Sequence, residues 1–201
     1  MYEVAETGST NADLLAFAAG EEAVDRTVLR ADHQTAGRGR LDRQWEAPAG
    51  ANLLVSVLFT KPPSVPSTLT QALGLAALAA VEGLDGRTRH DAPTRLGLKW
   101  PNDLLLDGRT LAGVLAQRSP TTGAIVVGMG LNVGWSPAGS ASLTDDHGID
   151  RRVVTPAAVG DRVLAELDRV LALDDITAVY RERLATLGAR VRVEVPGGRS
   201  I

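Results

Sequence analysis

Three arginines fall within six positions in the run Gln34-Thr35-Ala36-Gly37-Arg38-Gly39-Arg40-Leu41-Asp42-Arg43-Gln44-Trp45, which closes on Pro48-Ala49-Gly50-Ala51-Asn52. Cations this close repel one another unless something negative sits between them. Gly37 and Gly39 let the backbone approach a ligand and aim N–H groups at it, while guanidinium forks match carboxylate and phosphate oxygens. Trp45 adds a flat face on which a base can stack. The same residues also read as a basic surface loop with a half-buried tryptophan, so the run alone indicates an anion site without naming the anion.

Four further segments accompany it: Thr7-Gly8-Ser9-Thr10-Asn11, Lys99-Trp100-Pro101-Asn102-Asp103, Leu111-Ala112-Gly113-Val114-Leu115 and Gly128-Met129-Gly130-Leu131-Asn132-Val133. In order and spacing the five resemble the catalytic domain of the biotin-protein ligases, over roughly Val4 to Val195. Five separated motifs in one order carry far more information than a lone glycine motif. The resemblance implies an α+β fold, a mixed and largely antiparallel sheet packed against helices, like the class II aminoacyl-tRNA synthetases. It implies a reaction in which biotin and MgATP give biotinyl-5'-AMP and pyrophosphate, after which a lysine of a biotin carboxyl carrier protein attacks the acyl carbon.

Carried onto this sequence, the resemblance implies a role for each motif residue. Ser9, Thr10 and Asn11 line the biotin site. Gln34, Gly37, Arg38, Gly39 and Arg40 form the ligand-binding loop, with Arg38 near the adenylate and Arg40 and Arg43 at phosphates. Trp45 stacks on adenine and Asn52 assists the nucleotide. Lys99 and Asn102 contact the nucleotide, and Asp103 is the candidate Mg2+ or hydroxyl partner, since hard oxygen ligands suit that ion. Gly113 and Leu115 place backbone groups at the ureido ring, and Gly128, Gly130 and Asn132 line the nucleotide side. Attack of a carboxylate on a phosphate brings two anions together, so the catalysis implied is positioning plus electrostatic stabilisation.

Three positions depart from the family pattern. A lysine expected two positions before Ala112-Gly113 is Thr110 here, which keeps a hydroxyl and loses a charge. Removing one electrostatic donor at a transition state costs roughly 10²–10³-fold in rate. Arg109 is a poor stand-in, because adjacent strand residues face opposite sides. Asp42 replaces a glycine between the arginines, and Gln117 stands where an acid is common. The expectation is therefore a ligase with impaired adenylation. Two other functions stay open: a non-catalytic binder of biotin or its adenylate, and a ligase for lipoate or octanoate.

The elements that must hold these residues follow from the hydrophobic pattern. Tyr2 to Glu6 reads as a strand, and Ser9 or Thr10 caps a helix through Ala18, so that free N–H groups at that turn can cradle a polar head. Thr27 to Asp32 and Asn52 to Thr60 read as strands flanking the arginine loop, whose composition suggests mobility without ligand. A helix over Leu69 to Leu84 packs through many alanines. Strands over Leu96 to Trp100, Thr110 to Arg118 and Ala124 to Gly134 are joined by short turns, including Asp107-Gly108, which predicts an antiparallel sheet with helices on one face. Trp135 to Val154 reads as a surface loop. Pro156 opens a helix bearing Val159, Val163, Leu167 and Val170 on one face, and Ile176 to Leu187 forms another, stopped by Gly188.

Residues 1–189 thus read as the catalytic domain. Arg190 to Val195 reads as a strand and Pro196-Gly197-Gly198 as a turn, so 190–201 is expected to begin a truncated C-terminal small β-barrel domain. At 201 residues one compact domain is expected, and 44% hydrophobic with 3% aromatic content means aliphatic packing dominates. A net charge of −3 makes the arginines a local site rather than part of a basic face, and no helix-turn-helix segment precedes Tyr2, so no DNA partner is expected. The absence of Cys removes disulfides and thiol nucleophiles. His33, His90 and His147 lack companions at ligand spacing. With no apolar segment long enough to span a bilayer, the expected location is the cytoplasm, without membrane contact and with a homodimer as one assembly.

Overall fold

The computed structural model describes residues 1–41, 43–84, 96–145 and 154–190. Asp42, His90, His147, the polar run after Leu84 and the strand expected after Arg190 lie outside the described residues, as does part of the loop ending at Val154. The elements are β1 (Tyr2–Thr7), α1 (Thr10–Phe17), β2 (Val28–Gln34), β3 (Leu53–Phe59), α2 (Ser67–Glu82), β4 (Leu96–Lys99), β5 (Asp103–Leu106), β6 (Arg109–Arg118), β7 (Ile125–Leu131), α3 (Pro156–Leu171) and α4 (Ile176–Glu182).

The strands form one sheet in the order β1-β2-β3-β7-β6-β5-β4. Every neighbouring pair is antiparallel except β1 with β2. That exception makes the sheet mixed and largely antiparallel, as expected, and it arises because α1 crosses over between the two strands, as a parallel pair requires.

Helices occupy both faces rather than one. Leu53, Val55, Val57 and Phe59 of β3 share a core cluster with Ile125, Val127, Met129 and Leu131 of β7 and with the apolar stripes of α2 and α3. Leu58 and Val126, from the alternate positions, pack instead with Leu14 of α1 and with Ala18 at its C-cap. The central strands therefore lack polar alternation because both their faces are covered. Ser56 is the exception within β3: it is fully buried on the α1 side.

Caps and turns follow local chemistry. Thr155 caps α3 by accepting from the Ala158 N–H, with Pro156 in the first turn. Asp107 (φ 49°) and Gly108 (φ 74°) make the β5–β6 turn that the Asp-Gly pair predicts. Helix α4 ends at Glu182, short of the expected Leu187. The reason is pairing: Leu98 N–H donates to Arg183 O at 2.9 Å and Ala185 N–H to Leu98 O at 2.8 Å, so the chain leaves the helix to cover the β4 edge.

Candidate active site

On the α1 side of the sheet, the N-terminus of α1, the arginine loop and the middle of β3, β6 and β7 enclose a cavity of about 740 Å3. Its wall includes Ser9, Thr10, Asn11, Gln34, Arg38, Gly39, Arg40, Arg43, Trp45, Lys99, Asn102, Asp103, Thr110, Gly113, Leu115, Gly128 and Gly130. Nearly every residue singled out from the sequence is thus brought together. Gly37 stands behind the loop: a Cβ there would come within 2.3 Å of Trp45 O.

The floor is polar and buried. Thr10 N–H donates to Gln34 Oε1 at 2.8 Å, and the Thr10 hydroxyl lies 3.0 Å from the same oxygen and 2.7 Å from Ser56 Oγ. Ser56 donates to Asn11 Oδ1 at 2.7 Å. Asn11 Nδ2 in turn donates to Leu115 O at 3.1 Å and Gln117 Oε1 at 2.8 Å. The expected side-chain cap is not formed: Ser9 occupies the N-cap position of α1 without a capping hydrogen bond. Gly128 makes room for this arrangement, since a Cβ there would reach within 2.2 Å of Asn11 Oδ1.

The rim is cationic. The arginine loop folds over the sheet as a small ladder: Arg38 bridges Gln44, Trp45 N–H donates to Gly37 O at 3.0 Å, and Gly39 N–H to Arg43 O at 2.7 Å. Arg38, Arg40 and Arg43 are exposed. Arg40 reaches Asn102 Oδ1 at 3.3 Å, and Asn102 is itself pinned by donating to Val114 O at 3.0 Å. The Trp45 indole seats on the bare backbone of Gly130, where an added Cβ would come within 2.2 Å of it, and beside Gly113. Its Nε1 is buried without a hydrogen-bond partner.

Lys99 and Asp103 face each other at 3.9 Å across the β4–β5 turn. Burial pushes the Asp103 carboxyl above its usual 3.8, overcoming the opposite pull of Lys99, Arg40 and Arg43. Behind β4, the phenol of Tyr180 is buried without a partner and pushed up to about 12, by burial first and by the Asp103 charge second. Among the described residues no three His, Cys, Asp or Glu side chains cluster to hold a metal, and Asp103 is the one acid on the cavity wall.

A β-bulge decides how Thr110 points. Leu104 pairs with Ala112 but Leu105 with Thr110, leaving Leu111 as the extra residue. Thr110 therefore turns into the cavity, and Arg109, on the other side, donates to Ser140 O at 3.4 Å. No cation replaces the missing lysine from the neighbouring position.

Asn52 and Asn132 stand apart from the cavity wall. Each is 1% exposed. Asn52 Nδ2 donates to Asn132 Oδ1, Asn52 Oδ1 accepts from Val133 and Trp135 N–H groups, and Asn132 Nδ2 donates to Ala141 O. They tie the end of β7 and its following loop to the start of β3, so their contribution to the site passes through backbone placement. Conversely, Ser56 and Thr186 line the cavity and were not picked out from the sequence. The signal for Ser56 was a lone hydroxyl in the apolar run Leu53-Leu54-Val55-Ser56-Val57; Thr186 carried none, since it arrives by the pairing after α4.

With this geometry in view, residues 6–132 match the model of the biotin/lipoate A/B protein ligase family. The chain is 42% identical over 212 aligned residues to the biotin-[acetyl-CoA-carboxylase] ligase of Mycobacterium tuberculosis, covering 98% of this chain and 76% of that protein. It is 33% identical over 123 residues to the bifunctional ligase/repressor of Bacillus subtilis, covering 59% of this chain and 36% of that one. Among solved structures, the Aquifex aeolicus biotin protein ligase in complex with biotin and ATP superimposes with a TM-score of 0.74 at 27% identity, over 98% of this chain and 84% of that one. The chain belongs to the biotin/lipoate A/B protein ligase family, with the class II synthetase-like fold that the sequence led us to expect.

Proposed function

We propose that this chain is a biotin-protein ligase that activates biotin with MgATP to biotinyl-5'-AMP and passes the biotinyl group to a lysine of a biotin carboxyl carrier protein. One observation carries the reading: Arg38, Arg40, Arg43 and Lys99 converge on the rim of a single cavity whose floor is uncharged, buried and hydrogen-bonded. Such a cavity separates a polar, neutral ring head from a charged tail, and biotin and ATP together have that shape. The cations lower the repulsion between the biotin carboxylate and the α-phosphate, and the loop holding them excludes water from the mixed anhydride. Mg2+ bound to the phosphates adds charge neutralisation there, with Asp103 as its protein oxygen. The relatives named above favour biotin over lipoate or octanoate.

Incubation with biotin, MgATP and a carrier domain tests this reading. Pyrophosphate release and a biotin-sized mass increase on the carrier support it; tight biotin binding without pyrophosphate would make the chain a binder instead. Thr110 makes the adenylation step slow, because it places a hydroxyl where a cation would face both reacting anions.

Residues 1–189 are read as the catalytic unit because the cavity draws on side chains from Ser9 to Thr186, so a chain ending at Ala189 should keep biotin binding. A cytoplasmic location follows from the substrates, and cell fractionation tests it. Light scattering with and without biotin tests for the homodimer, and a mobility-shift assay tests for DNA binding, which is not expected.

A further inference from the structure

The cavity floor holds more oxygen contacts than protons to serve them. Three short contacts run in a row: Gln34 Oε1 to Thr10 Oγ1 at 3.0 Å, Thr10 Oγ1 to Ser56 Oγ at 2.7 Å, and Ser56 Oγ to Asn11 Oδ1 at 2.7 Å. Both ends can only accept. Gln34 is fixed with its oxygen inward because that oxygen takes the Thr10 backbone N–H. Asn11 is fixed with its oxygen toward Ser56 because its Nδ2 is engaged by the Leu115 carbonyl and by Gln117. Only two hydroxyl protons remain for three contacts. The Asn11 oxygen draws the Ser56 proton, and the Thr10 proton, which can go to Gln34 Oε1 at 3.0 Å or to Ser56 Oγ at 2.7 Å, takes the shorter contact. What is left at the cavity is a Thr10 oxygen with free lone pairs, pressed against the Gln34 oxygen with no proton between them. Buried acceptors held this way favour an incoming N–H strongly, because it relieves lone-pair repulsion as well as forming a bond.

We propose that Ser56 is a positioning residue that, with Asn11 and Gln117 behind it, turns the Thr10 hydroxyl into an acceptor for a ring N–H of the substrate. Ser56 lies on the cavity wall beside Thr10, and the role assigned to it is exerted through the Thr10 hydroxyl. The inference rests on the biotin reading, since a cyclic urea is the substrate part that supplies N–H donors to such a floor. Gln117 holds this chain in place through its acceptor oxygen, which explains why an amide serves at a position where an acid is common.

Calorimetry with the full chain, using biotin and an analogue methylated on the ureido nitrogens, tests the proposal. Wild type should favour biotin over the methylated analogue, and Ser56→Ala should narrow that ratio by roughly tenfold, the worth of about one hydrogen bond. Gln117→Glu, which keeps an acceptor for Asn11, should preserve the ratio. Should Ser56→Ala fail to fold, Gln117→Leu takes its place and should also narrow the ratio. Equal weakening toward both ligands, or an unchanged ratio, would assign the chain of bonds to support of the fold and overturn the proposal. Failure of wild type to bind biotin would instead remove the biotin reading itself, and the proposal with it.

Discussion

The floor and the rim of the cavity are built on opposite plans. On the floor, Ser9, Thr10, Asn11 and Ser56 are all at most 8% exposed, and the last three share one hydrogen-bonded chain. On the rim, Arg38, Arg40 and Arg43 reach into solvent from the loop and Lys99 from the end of β4. A buried polar network is rigid and reads the shape and polarity of a neutral head. Exposed cations are cheap to carry, contribute little to stability, and act when an anion arrives. The difference teaches that recognition and acceleration are separable here, and variants should split accordingly.

The largest effect is expected at the rim. Arg40→Ala should lower adenylate formation roughly 10²–10³-fold, read as pyrophosphate release, while the thermal midpoint stays unchanged because the side chain is exposed. A large drop in that midpoint would mean the rim is structural after all. Thr110→Lys should raise the same rate by about a hundredfold, since the bulge already aims this position into the cavity. No gain would overturn the part proposed for Thr110 in that step.

Asn52→Ala sharpens the comparison from the structural side. It strips partners from the buried Val133 N–H, the part-buried Trp135 N–H and Asn132, and should cost about 2–3 kcal/mol of stability in denaturant unfolding while leaving the affinity of the folded protein for ATP nearly intact. A selective loss of ATP affinity would restore Asn52 as a nucleotide contact. The smallest effect is at Asp103. Its folded-state pKa lies above the unfolded value, so its ionisation opposes folding at neutral pH and ceases to do so once the pH falls below both values. Asp103→Asn should therefore raise the melting temperature slightly at pH 7, with the gain fading toward about pH 3, although the contact with Lys99 is lost. A fall at pH 7 would show that the ion pair outweighs burial.

Much of this arrangement was legible in the residue order. Glycines beside arginines, the Asp-Gly turn and the apolar strand runs between short turns each state a local preference that the fold obeys. What stayed hidden depended on partners distant along the chain. The side of the sheet taken by α1 could not be read from β3, whose two faces are equally apolar. The end of α4 is set by Leu98, more than eighty positions away, and not by its own helical pattern. Asn52 and Asn132 carried the right residue type for a ligand contact, but only the three-dimensional pairing reveals that they hold each other. Thr110 required the bulge at Leu111, which leaves no mark in the sequence.

The indole of Trp45, seated on Gly130 with its N–H unanswered, gives the loop a loosely set latch. An orphan buried donor offsets part of what its apolar contact contributes, so lifting the ring away costs less than its size suggests. A cover that fastens this weakly can open for large cargo and then close on it, and the shift in tryptophan emission that accompanies this opening would time each turnover from inside the molecule.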